Sequence, residues 1–194
     1  MTNILSLGIV YENSFDKSEE LQSIIQYFLN LKSDIVGIKV SMDEDGENWL
    51  ESERNGKNFI LDYTLLTEKY FGEILIQLND FWSLNGLSLM LTLRIVKEND
   101  FFGYLLDFEM EQLLNRYSLD LINELIIDLV KDIYSVTKFN YAFCDHDSEI
   151  EYSPSQYKDL VEAYSILILP RAKNGFDVIK NNWQIDGITS RNKI

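Results

Sequence analysis

The sequence predicts an α+β domain, with a mixed, largely antiparallel sheet and helices packed mainly on one face. Three patterns carry that reading. Leu87, Leu89, Leu91, Leu93 and Ile95 alternate strictly, which is the repeat of a strand with one buried side. Ile122, Leu125, Ile126, Leu129, Val130 and Ile133 recur at helical spacing. Short apolar runs at 3–11 and 35–41 bracket an amphipathic stretch, the arrangement of a strand–helix–strand unit.

Residues 3–11 (NILSLGIVY) are apolar toward both faces, so this first strand belongs in the middle of a sheet. Asp16 and Glu19 have the spacing of a capping box, and Leu21, Ile24, Ile25, Phe28 and Leu31 give the following helix one apolar face. With the strand at 35–41 (IVGIKVS), the usual right-handed crossover would leave the two strands parallel. Residues 42–58 break the pattern, with Asp43, Glu44, Asp45, Glu47, Glu51 and Glu53 around Trp49 and Leu50. Asn55-Gly56 suits a tight turn that joins ENWLESE and NFILDY as a hairpin, with a plain loop as the alternative.

A meander is expected over 73–111. Ile74, Ile76 and Leu78 alternate, Asn85-Gly86 supplies a turn, and KEND at 97–100 supplies another. The last strand then carries Phe102, Tyr104, Leu106, Phe108 and Met110 on one side and an acidic stripe of Asp107, Glu109 and Glu111 on the other. Ser118 and Asp120 mark the start of the helix at 118–137 as N-cap and first-turn acid. NYAFCDH at 140–146 reads as a strand. Ser153-Pro154-Ser155-Gln156 reads as the start of a helix that runs to about Tyr164. ILILP at 166–170 reads as a short buried strand, and the stretch around 175–183 as a weak helix.

The 194 residues fit one domain spanning 1–194, and a chain of this length buries about 70% of the surface of its extended form, so no metal or disulfide is needed. A hydrophobic share of 46% is too high for a disordered chain. The single cysteine, Cys144, has no internal disulfide partner, no apolar leader is read at the start, and no run approaches the roughly 18 apolar residues of a membrane span. A cytoplasmic protein without a membrane role is therefore expected.

Charge narrows the partners. There are 32 acidic and 17 basic side chains, a net charge of -15. Residues 171–194 hold five of the basic groups and two of the acids, which leaves 12 basic against 30 acidic, or -18, for residues 1–170. Such a body repels nucleic-acid phosphates and anionic lipid and speeds encounter with a basic protein. A general role in solubility is the alternative meaning of the same charge.

Catalytic and metal chemistry find little support in the residues. Cys144, Asp145, His146, Asp147, Glu149 and Glu151 cluster in sequence, but Cys144 and His146 on one strand stand about 6–7 Å apart by the strand rise, and the chain holds no second histidine or cysteine to complete a zinc site. No G-x-S-x-G elbow or phosphate-binding G-x-x-x-x-G-K-[ST] loop occurs. No enzyme activity, metal or cofactor is expected. The candidate contact residues for a partner are Asp43, Glu44, Asp45, Glu47, Trp49, Glu51 and Glu53 in the irregular segment, Asp107, Glu109 and Glu111 in the strand stripe, and Asp145, Asp147, Glu149 and Glu151 after the late strand. Trp49 stands among them as an apolar anchor inside a charged rim, or as a residue tucked into its own domain.

The segment YAFCDHDSEIEYSPSQY at 141–157, together with NILSLGIVY and ILILP, resembles the bacterial polymorphic-toxin immunity proteins, most nearly the immunity protein 64 family. The resemblance implies a cofactor-free binder that neutralises a cognate toxin, expected here to be a basic effector domain such as a nuclease. An enzyme using the 144–151 cluster and a non-catalytic regulatory or scaffold domain are the alternatives.

Overall fold

The computed structural model describes residues 3–53, 61–79, 81–83, 88–172 and 175–187. The chain opens with β1 (Ile4–Glu12), whose residues from Leu5 to Tyr11 are all buried. In α1 (Lys17–Asn30), Asp16 caps the helix by accepting from the amides of Ser18 at 2.9 Å and Glu19 at 3.1 Å, which satisfies two donors that a first helical turn leaves unpaired. Leu21, Ile24, Ile25 and Phe28 form its buried stripe. The chain then runs through β2 (Asp34–Ser41), β3 (Trp49–Glu53), α2 (Tyr63–Glu68), β4 (Phe71–Asn79), β5 (Ser88–Lys97) and β6 (Phe101–Glu109). It continues through α3 (Met110–Leu114), α4 (Leu119–Val136, capped by Ser118), β7 (Tyr141–His146), α5 (Tyr157–Leu160), β8 (Ile166–Arg171) and β9 (Gly175–Lys180).

The strands form one nine-stranded sheet in the order β3-β2-β4-β5-β6-β1-β7-β8-β9, and every neighbouring pair is antiparallel. The described sheet is therefore antiparallel throughout and not mixed as expected, because the first two strands, expected to lie parallel in one unit, are not neighbours. Four antiparallel steps still leave β1 and β2 pointing the same way, but β4, β5 and β6 stand between them. The meander offers full-length edges that β1 and β2 take instead: β1 pairs with β6 over all nine residues, from Ile4↔Glu109 to Glu12↔Phe101. Perpendicular antiparallel bonds are slightly stronger than the slanted parallel ones they replace.

Other local expectations also yield to tertiary context. Strand β3 pairs with β2; of the hairpin arm expected at 58–63, residues 61–63 are described, and there Asp62 caps α2 by accepting from the Leu65 amide at 2.9 Å. The turns expected at Asn55-Gly56 and Asn85-Gly86 lie outside the described residues. The helix expected from Ser153 shrinks to α5. Gln156 Oε1 does accept from the Ser153 amide at 2.8 Å, but Ser153 Oγ shares its hydrogen bond with Ser155 Oγ, so the capping box is only half formed. The weak helix around 175–183 is instead β9, with β-branched Val178 and Ile179 on a sheet edge. Pro170 lies beyond the described pairing of β8 with β7, which ends at Ile168, and stands opposite Phe176 of β9 on the other side.

Two cores divide along the sheet. On one face Leu5, Leu7, Ile9 and Tyr11 of β1 join the alternating residues of β4, β5 and β6, the stripe of α1 and Ile122, Ile126, Leu129, Val130 and Ile133 of α4. The other face carries a smaller cluster in which Val10, Leu105, Phe143 and Leu167 meet Ile150, Leu160 and Tyr164. The segment 147–164 reaches the sheet there because two glycines make room. A Cβ on Gly8 would lie 2.0 Å from the Phe143 ring, and one on Gly103 would lie 2.5 Å from Ile150. Phe143 in turn stacks on Tyr164 with centroids 3.7 Å apart. Among the described residues this cover lies over β6, β1, β7 and β8 and reaches Val96 at one end of β5, leaving the rest of the second face of β3, β2, β4 and β5 without it.

Candidate functional site: the uncovered half of the sheet

Cross-strand register sorts the uncovered face into three rows. The middle row is charged: Glu51 faces Lys39, Lys39 faces Glu73, and Glu73 faces Arg94. Signs alternate across the four strands, and Lys39 Nζ lies 3.1 Å from Glu51 Oε1. On one side runs an aromatic row, in which Ser41 separates Trp49 and Phe71. Their rings stack at 6.4 Å across Ser41, and they remain 40% and 47% exposed. On the other side runs a smaller row of Glu53, Gly37, Leu75 and Thr92, with Leu75 36% exposed.

The loop between β2 and β3 holds Trp49 in place. Asp43 accepts from the amides of Glu47 at 2.8 Å and Asn48 at 2.9 Å, and the Glu47 bond is the main reason its carboxyl lies below the usual carboxylate range. Gly46 adopts a left-handed φ of 68°, and its carbonyl accepts from Trp49 Nε1 at 2.7 Å. Across the face, Arg94 closes the border with the covered half. Its Nε lies 2.5 Å from Asp107 Oδ2 and its Nη1 lies 2.7 Å from Glu149 Oε1, while Ser6 Oγ donates to Asp107 at 2.8 Å.

The family model for immunity protein 64 matches residues 5–191. The chain belongs to that family. No curated protein and no solved structure matches it. No helix among the described residues is long and apolar enough to cross a membrane.

In this immunity protein 64 chain the acids expected to contact a partner do not form one group. Asp45, Trp49, Glu51 and Glu53 reach the uncovered face from β3 and its loop, Asp107 reaches it from β6, and Glu149 reaches it from the covering segment. Glu44 and Glu47 are exposed on the same loop, where Asp43 is held by the loop's own amides. Glu109 ends β6 and accepts from Gln112 Nε2. Glu111 departs from the strand stripe, because β6 stops at Glu109 and α3 begins at Met110. Asp147, with a φ of 44°, and Glu151 are exposed beyond the end of β7.

Asp145 is corrected from a surface acid to a buried one. It is 3% exposed and accepts from the Ser165 amide at 3.0 Å, Ser165 Oγ at 2.7 Å, Trp183 Nε1 at 3.0 Å and the His146 amide at 2.8 Å. Cys144 is fully buried, and burial pushes its thiol well above the ordinary range, so the reactive thiolate is suppressed. Among the described residues no three His, Cys, Asp or Glu side chains gather as metal ligands.

Lys39, Phe71, Glu73, Leu75 and Arg94 went unmarked in the sequence. A signal existed in β4 (FGEILIQLN), where Gly72, Ile74, Ile76 and Leu78 fill the buried phase, so Phe71 and Leu75 stand in the solvent phase where polar residues belong.

Proposed function

We propose that this chain binds a cognate bacterial toxin and neutralises it by covering its functional surface, without catalysis and in the cytoplasm. Membership of the immunity protein 64 family supports the role. The observation that carries the mode of action is the uncovered half of the sheet, where acids from three distant segments surround exposed Trp49, Phe71 and Leu75. An apolar centre inside a charged rim is the anatomy of a protein contact surface. The -18 charge of residues 1–170 favours a basic effector domain such as a nuclease, and it opposes direct binding of nucleic acid. A patch of about 1,200–2,000 Å² of total buried area would suffice for a specific complex.

The enzyme alternative loses its best residues, since Cys144 is enclosed and all the oxygens of Asp145 face internal donors. Co-expression of the chain with the toxin-like product of each adjacent reading frame tests the proposal. Growth should be rescued and a stoichiometric complex should co-purify. Survival without complex formation would favour chemistry over binding, and failure of both would favour a regulatory or scaffold domain.

A further inference from the structure

Two depressions lie side by side on the uncovered face and share Glu73. One is a hollow of about 240 Å³ with a mainly apolar surface, in which Val36, Gly37, Leu75 and Thr92 are flanked by Lys39, Glu51, Glu53 and Glu73. Gly37 keeps it open: a Cβ there would meet nothing nearer than the Ser52 carbonyl oxygen at 3.5 Å. The other is a cleft of about 550 Å³ whose walls include the rings of Trp49, Tyr70 and Phe71 and the carboxylates of Asp45, Glu73 and Glu98. The guanidinium of Arg94 at its edge is matched by Asp107 and Glu149. Lys97 also lines the cleft, where its ammonium donates to the Leu66 carbonyl, but among the described residues Asp45, Glu73 and Glu98 form no ion pair, so three carboxylates stand against this one further cation and the cleft keeps an excess of negative charge next to exposed aromatic faces.

Aromatic faces beside unmatched carboxylates suit a cation, through charge and through the ring quadrupole together. A mainly apolar hollow beside them suits an aliphatic side chain. We infer that this double depression is the docking site for the toxin, which inserts an apolar side chain into the Gly37–Leu75 hollow and an adjacent arginine or lysine into the Trp49–Phe71 cleft, with Glu73 between them. The inference rests on the toxin-binding reading above and adds to it the place of contact and the chemistry of the contacting residues. Glu44, Glu47, Glu109, Glu111, Asp147 and Glu151 then act through long-range attraction and not through contact.

The test measures affinity of the full chain for the inactivated product of the adjacent toxin-like reading frame. Glu73→Lys reverses the shared charge, Gly37→Leu fills the hollow with its Cβ at an ordinary van der Waals distance of 3.5 Å from the Ser52 carbonyl oxygen, and Asp128→Lys on α4 makes a charge reversal of the same size elsewhere. Thermal melts identify any variant that fails to fold, and Gly37→Leu stands in if Glu73→Lys does. Weakening by at least about tenfold for the first two, with Asp128→Lys within about threefold of wild type, is the expected result. If the wild-type chain binds and both face variants bind equally well, the docking site is wrong while the function stands. If the wild-type chain does not bind or protect, the function is wrong and the docking site falls with it.

Discussion

Arg94 Nη1 lies 2.7 Å from Glu149 Oε1, joining residues 55 positions apart and tying the covering segment to the edge of the uncovered face. The same guanidinium holds Asp107, whose side chain is only 11% exposed. Arg94→Met should cost about 1–3 kcal/mol in urea unfolding, because among the described residues Asp107 then keeps only Ser6 Oγ as a donor in a largely buried site. Arg94→Lys should recover part of that loss, since an ammonium cannot reach both carboxylates with a planar fork. An unchanged denaturation midpoint for Arg94→Met would show the pair to be decorative.

Asp145 joins β7 to Ser165 at the entry of β8 and to Trp183 near the end of the described chain. Asp145→Ala strands four donors at once and should destabilise the fold by about 3 kcal/mol or more. Trp183→Phe removes one donor and keeps most of the ring, so about 1 kcal/mol is expected. Equal effects from the two substitutions in chemical denaturation would contradict this account.

What the sequence revealed and what it hid separate along physical lines. The run Leu89–Ile95, the stripe of α4 and the Asp16 and Ser118 caps are local patterns, and each element formed where its pattern stood. Sheet order is not local. The match of Ile4 with Glu109 spans more than a hundred residues, and no periodicity in either strand names its partner. Asp145 and Asp147 look alike in sequence, yet only the first turns inward, because Ser165 and Trp183 arrive from later elements to receive it. The uncovered face stayed hidden for the same reason: Phe71 and Leu75 become a surface only once the covering segment has chosen the other half of the sheet.

Lys97 gives the fold an alkaline signature. Burial, with the charge of Lys17 as a lesser cause, pulls its ammonium from 10.5 down to about 8. The unfolded chain therefore keeps this proton to higher pH than the folded one, so the Lys97 contribution to stability should rise with pH between about 8 and 10.5. The buried phenols of Tyr11, Tyr104 and Tyr141 act in the opposite sense above their ordinary range, since burial raises them and ionisation then opposes folding. Lys97→Met leaves those phenols in place. It should be more stable than wild type by about 1 kcal/mol at pH 7, and the gap should narrow toward pH 10.5. A gap that stays constant across that range would remove burial of the charge as its cause.

Attraction and anchoring should separate in the kinetics of toxin binding. Glu44 and Glu47 are exposed on the loop before β3, where screening by salt is strong, so raising ionic strength from about 0.05 to 0.5 M should slow association and leave dissociation nearly unchanged. The double substitution Glu44→Gln and Glu47→Gln should lower the association rate and flatten its salt dependence. Trp49 has the opposite role. Its ring is fixed by Gly46 and Phe71 before any partner arrives, so an occupied cleft loses contact area without gaining flexibility when Trp49→Ala is made. That variant should dissociate about tenfold faster at an almost unchanged association rate. The reverse split, with Trp49→Ala slowing encounter and the glutamine pair speeding release, would mean that the loop carrying Glu44 and Glu47 is the buried centre of the contact and the aromatic row its wet edge.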